Sequence, residues 1–171
     1  MLVGVISDSH DNLELLKRAL REVVSRWVQL VFHLGDFISP FTVKLMKELL
    51  GDIPVIGIKG NNDGDVYQLL RLFTQYNWTL KVEPSIINVG GRKILLVHGY
   101  GGIEETTRLV NAWTTSLDVD VVLYGHTHNV DLRRMGEKLI LNPGEVCGYI
   151  TGKSSYAVLD LNKLEAEVYI L

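Results

Sequence analysis

The sequence predicts an α/β fold of four layers, α/β/β/α, built on two mixed sheets. Three observations lead there. The first half alternates short apolar runs with amphipathic stretches. The second half reads as hairpins arranged around one more helix. Polar residues of metal-ligand type follow the apolar runs at their C-terminal ends. Strand–helix alternation implies parallel strands joined by right-handed crossovers, and open α/β sheets place their sites outside the carboxyl ends of such strands.

The elements follow in order. Leu2 to Ser7 is a short apolar run, consistent with a buried strand. Asp11-Asn12-Leu13-Glu14 has the form of a capping box, and Leu13, Leu16, Leu20 and Val23/Val24 recur at helical spacing, which predicts a helix over about residues 12–26. Leu30 to Leu34 is a second strand, ending at Gly35-Asp36. Ser39-Pro40 reads as an N-cap followed by proline at the first helical position. Val43, Leu45, Met46, Leu49 and Leu50 form that helix's apolar face, and Gly51 stops it. Pro54 to Ile58 is a third strand, and a third helix over about residues 65–76 turns Val66, Leu69, Leu70 and Phe73 inward.

Beyond it, Ser85 to Val89, Gly90-Gly91 and Lys93 to Val97 form a hairpin signal. A helix with a weaker pattern covers about residues 104–116, and Val119 to Tyr124 is another buried strand. Val130 to Met135 pairs with Lys138 to Leu141 across Gly136, and Ser155 to Leu161 pairs with Leu164 to Ile170. Trp27, Trp78 and Trp113 are expected in the core.

The chain has 171 residues, which suits one domain spanning 1–171. Its net charge of −3 and pI near 5.9 argue against dedicated nucleic-acid binding, which needs a basic face. They leave a phosphate substrate open, because bound cations reverse the local field. Cys147 is the sole cysteine, so no intrachain disulfide forms. Met1 to Ile6 is too short for a signal-peptide core, and no apolar run approaches the roughly 20 residues that span a bilayer. A cytoplasmic protein without membrane association is expected.

The chemistry lies in short loops. Asp8-Ser9-His10 puts a carboxylate and an imidazole two residues apart, although both also suit a turn before a helix. Gly35-Asp36 is by itself an ordinary turn, but a carboxylate there can offer one oxygen to each of two cations, and Gly35 leaves room beside it. Gly60-Asn61-Asn62-Asp63 supplies further oxygens and equally suits an Asx-turn. Asp63 fits a cap or an orienting role better than ligation. His98 ends an apolar run, and Gly125-His126-Thr127-His128 ends another. Four of the five histidines fall in these loops. The fifth, His33, lies inside a strand and reads as a core residue. Imidazoles and carboxylates together suit Mn, Fe, Zn, Ni or Co, and the lack of cysteine ligands disfavours a closed structural zinc site.

As a set, Asp8/His10, Gly35-Asp36, Gly60-Asn61, His98 and Gly125-His126-Thr127-His128 resemble the motifs of the calcineurin-like metallophosphoesterases. The short length and the Asp-Ser-His-Asp-Asn opening resemble a small bacterial and archaeal phosphodiesterase branch. The resemblance implies two divalent metal ions, Mn foremost, with Ni, Co, Fe and Zn as alternatives. It implies that Asp8, His10, Asp36 and His128 hold one ion and that Asp36, Asn61, His98 and His126 hold the other. Asp36 would bridge, and Asp36, Asn61 and His98 would stand at the centre of catalysis. It further implies attack on phosphorus by a hydroxide between the ions. The implied function is hydrolysis of a small phosphodiester. A phosphomonoesterase, a nuclease, and a scaffold like the retromer subunit of the same fold are the alternatives, and a homo-oligomer is compatible with each.

Two positions depart from the family pattern. Many members carry, after the ligand asparagine, a histidine thought to protonate the leaving group or to help bind phosphate; here that residue is Asn62. Relatives often have another histidine where this chain has Tyr100. Asn142-Pro143-Gly144 recurs in the branch and reads as a turn.

Overall fold

The computed structural model describes all 171 residues. Its elements run β1 (Leu2–Ile6), α1 (Leu13–Ser25), β2 (Val31–His33), α2 (Pro40–Leu50), β3 (Val55–Ile58), α3 (Val66–Gln75), β4 (Thr79–Lys81), β5 (Ser85–Val89), β6 (Arg92–Val97), α4 (Ile103–Ser116), β7 (Val121–Tyr124), β8 (Val130–Met135), β9 (Lys138–Pro143), β10 (Ser155–Asp160) and β11 (Glu165–Ile170). One sheet has the order β11-β10-β1-β2-β3-β4 and the other β5-β6-β7-β9-β8. Both are mixed: β1–β4 run parallel with an antiparallel β10–β11 edge, and β6, β7 and β9 run parallel between antiparallel β5 and β8.

Period-two alternation divides the side chains among three cores. Val3, Val5 and Phe32 of the first sheet meet Ile94, Leu96, Val121, Leu123 and Leu141 of the second. Ile6, Val31 and Val55 point the other way, against Leu16, Leu20 and Val23 of α1, Val43 and Met46 of α2, and Leu69 and Phe73 of α3. Leu95, Val97, Val122 and Ile140 form a smaller core with Val110 of α4. Three cores between four layers give the expected α/β/β/α sandwich.

Three local expectations fail for tertiary reasons. The N-cap of α1 is Asn12, whose side chain accepts from Leu15 N. Asp11 instead accepts hydrogen bonds from Ser39 and Thr42, both at 2.8 Å, so it ties α1 to the start of α2 and no capping box forms. Leu72, not Leu70, joins Leu69 and Phe73 in the core, and Leu70 is exposed. Trp27 is 86% exposed, because it follows the end of α1 in a left-handed turn that aims it at solvent. Trp78 is buried as expected. Strand β4 carries no sequence signal of its own; Leu80 and its neighbours form a short edge beside β3.

Candidate metal centre

Five parallel strands deliver ligand-type residues to one rim of the sandwich. From the first sheet come Asp8 and His10 after β1, Asp36 after β2, and Asn61 after β3. From the second come His98 after β6, and His126 and His128 after β7. Cross-sheet hydrogen bonds lock the rims together. His126 N donates to Asp8 Oδ2 at 3.0 Å, and His98 Nδ1 bonds Leu34 O at 2.7 Å. All seven ligand-type residues expected from the sequence converge there.

Their ligand atoms form two groups around Asp36. Asp36 Oδ2 lies 3.2 Å from His10 Nε2, which is 3.8 Å from Asp8 Oδ1, itself 3.5 Å from His128 Nε2. Asp36 Oδ1 lies 3.4 Å from His98 Nε2, which meets Asn61 Oδ1 at 2.8 Å. The His126 ring sits 5.1 Å from that of His98. Its Nε2–H donates to Gly101 O at 2.7 Å, which in the neutral ring leaves the lone pair on Nδ1. Asp8 Oδ1 and His10 Nε2 are buried without a hydrogen-bond partner, and no other buried side-chain polar atom is. Two unpaired atoms of ligand type facing each other fit a cation between them.

The backbone is bent to achieve this. Asp8, His10, Asp36, His126 and His128 all have left-handed φ, between 43° and 66°. Non-glycine residues rarely adopt that region, at a cost of about 1–2 kcal/mol each, so such clustering marks a functional loop set. Close approach explains the glycines beside the ligands. A Cβ on Gly60 would lie 2.2 Å from Asp36 Oδ1, and one on Gly35, where φ is 104°, 2.5 Å from His98 Nδ1.

Buried carboxylates beside imidazoles shift both. Contact with Asp36, and then with Asp8, raises His10 to about 9. Burial pushes His98 down, but Asp36 and Asp8 outweigh it and raise it to about 9. Burial favours the neutral form of Asp36, yet His10 and His98 hold its carboxyl well below the usual range. The site thus collects positive charge, as protons in the metal-free protein. His33 lies behind it, fully buried: Nε2 bonds Ser9 Oγ at 2.9 Å, Nδ1 accepts from Gly35 N at 3.3 Å, and burial lowers it to about 3.

Supporting groups complete the site. Asp63 accepts from the backbone N–H of Asp36, Gly60 and Ile38, the orienting role its sequence position suggests. Asn62 donates to both oxygens of Asp36, from its backbone N and from Nδ2, each at 2.8 Å. Sequence reasoning missed Glu83, which accepts from His98 N and Gly99 N. It also missed Glu145, whose Oε2 meets His128 Nδ1 at 2.7 Å. Asn142-Pro143-Gly144 is more than a turn, since Asn142 Nδ2 holds Gly125 O and Thr127 Oγ1 of the histidine loop. The available signal was positional: β9 is a parallel strand, so its C-terminal residues reach the same rim.

Residues 1–164 match the model of the calcineurin-like phosphoesterase superfamily domain. The chain belongs to that superfamily. Members are metal-dependent phosphoesterases, and this chain is accordingly a hydrolase of phosphate esters. It is 33% identical to the phosphodiesterase MJ0936 of Methanocaldococcus jannaschii over 172 residues, covering 100% of this chain and 99% of that protein. Among solved structures, an archaeal phosphodiesterase superposes with a TM-score of 0.86 at 32% identity, over 100% of both chains. Vps29 of Entamoeba histolytica, solved with Zn2+, superposes with a TM-score of 0.70 at 27% identity, covering 99% of this chain and 91% of that one. No helix is long and apolar enough to cross a membrane.

Proposed function

We propose that this chain hydrolyses small phosphodiesters with two divalent cations, manganese foremost. Asp8, His10, Asp36 and His128 would hold the first cation, and Asp36, Asn61, His98 and His126 the second. The observation that carries this reading is the facing pair of buried, unpaired atoms, Asp8 Oδ1 and His10 Nε2, beside a carboxylate whose other oxygen faces His98. When bound, such a cation pair activates water at neutral pH and neutralises charge at phosphorus.

The chain's own residues supply the rest. Asp36 directs one oxygen to each position, and Asn62 and Asp63 hold it there by its carboxylate and its backbone N–H. Loops from separate strands, joined by hydrogen bonds, keep the ligands oriented without rearrangement. Asn62, next to Asn61, presents an amide, which donates hydrogen bonds but cannot act as an acid. His33 cannot replace it, being enclosed behind Ser9. The leaving group therefore departs without a proton from a histidine, which favours diesters with stable leaving groups such as aryl alkoxides.

Metal analysis of the purified protein, then reactivation of chelated protein with Mn, Ni, Co and Zn on a chromogenic diester, tests the reading. Two ions per chain with restored turnover supports it. A protein that takes up no ion and stays inert under all four leaves only the fold it shares with Vps29.

A further inference from the structure

The three histidines after β6 and β7 each have one ring nitrogen held by a neighbouring group, and in His98 and His128 the other nitrogen, Nε2, faces Asp36 and Asp8. His98 Nδ1 is held by Leu34 O and His126 Nε2 by Gly101 O, both neutral backbone carbonyls. His128 Nδ1 is held by a carboxylate, Glu145 Oε2, at 2.7 Å. That carboxylate is fully buried and itself fixed. Cys147 Sγ–H donates to Oε2 at 3.0 Å, and Thr151 donates to Oε1 from its backbone N at 2.6 Å and its hydroxyl at 2.7 Å. Ile150 N reaches both oxygens, at 3.1 and 3.2 Å.

An ionised carboxylate only accepts hydrogen bonds, so the proton on this pair sits on Nδ1. In the neutral ring Nε2 is then bare, 3.5 Å from the unpaired Asp8 Oδ1. A carboxylate behind an imidazole also makes the ring a stronger donor than a carbonyl does. We propose that Glu145 is a positioning residue of the site: it fixes the tautomer and direction of His128 and thereby strengthens the first cation position selectively. The proposal rests on the two-cation reading above, and it separates the two positions by the charge behind one ring.

Manganese titration of chelated protein by calorimetry tests it, on wild type, E145A, E145Q and T151V. E145A is expected to weaken one ion by about 10–100-fold and leave the other unchanged. E145Q, which keeps an acceptor without the charge, falls between E145A and wild type. T151V, which removes one hydroxyl hydrogen bond from Oε1 but keeps the charge, is expected to weaken the same ion by less than E145Q does. The second readout needs neither metal nor variant: long-range 15N–1H spectra of the metal-free wild type at alkaline pH are expected to show His128 protonated on Nδ1 and bare on Nε2. The opposite tautomer overturns the proposal, also in the event that E145A does not fold. A wild type that takes up two ions while E145A keeps both affinities, or loses both equally, overturns this proposal alone. A wild type that takes up no ion overturns the two-cation reading and the cation part of this proposal together.

Discussion

The two proposed cation positions share Asp36, yet the polypeptide leaves them in different states. At the first, Asp8 Oδ1 and His10 Nε2 make no hydrogen bond, although His10 Nε2 stands 3.2 Å from Asp36 Oδ2. At the second, His98 Nε2 closes on Asn61 Oδ1 at 2.8 Å, and His126 Nε2 is turned to Gly101 O. Each unpaired buried group costs about 1–3 kcal/mol, which an arriving cation relieves. At the second position a cation must first displace a hydrogen bond worth about 0.5–1.5 kcal/mol. The first also has a carboxylate of its own, Asp8, beside the shared Asp36, whereas the second has Asp36 and a neutral amide. Similar donors on one rim therefore give unequal sites, because the difference lies in what each donor does when no ion is present.

The harshest way to break this comparison is to remove what the positions share. Asp36→Asn withdraws the one charge common to both, and turnover should fall on the order of 10³-fold. Calorimetry should also show both ions weakened, whereas loss of a single ion would contradict the shared role. The next test varies the substrate. With Asn62 in place of an acid, rates should drop by about 10²-fold or more from aryl to alkyl leaving groups, the span a general acid contributes. A flat dependence with chemistry limiting would show that some group does supply the proton. Asn62→His should flatten the slope, although it also gives up the amide bond to Asp36 Oδ2.

Gly60→Ala sharpens the comparison from the packing side. Its Cβ would press on Asp36 Oδ1, the oxygen facing the second position. The expected cost is about 1–3 kcal/mol of stability by denaturant unfolding, with the second ion lost before the first. The smallest effect is in pH. His10 and His98 hold their protons more tightly when folded, at about 9, than in an unfolded chain, near 6.5. Their stabilisation is therefore complete below about 6.5 and is lost as pH rises through about 9. The melting temperature of chelated protein should decline across that window by a few degrees. Saturating manganese should abolish this decline, since the cations take the protons' place.

Much of this arrangement is legible in the sequence. Strand ends carrying Asp8, Asp36, Asn61, His98 and the 126–128 pair were marked by apolar runs that stop at polar residues, and the glycines beside them were marked by their position. The helix over Pro40–Leu50 begins and stops where Ser39, Pro40 and Gly51 indicate. What failed locally failed where a distant partner outbid a neighbour, as when Asp11 left its own helix to accept from Ser39 and Thr42.

By itself, then, the chain's order of residues determined the kinds of element, the rim at which they end, and the donor types delivered there. Those properties arise within a few residues, from periodicity, caps and turns. Only the packing of two sheets decided which oxygen faces which imidazole, that Glu83 and Glu145 stand behind His98 and His128, and that Asp8 Oδ1 and His10 Nε2 are left without a hydrogen bond. Such contacts join residues as far apart as Asp8 and His126, 118 positions along the chain. No local pattern encodes a meeting that depends on how two separate cores fill.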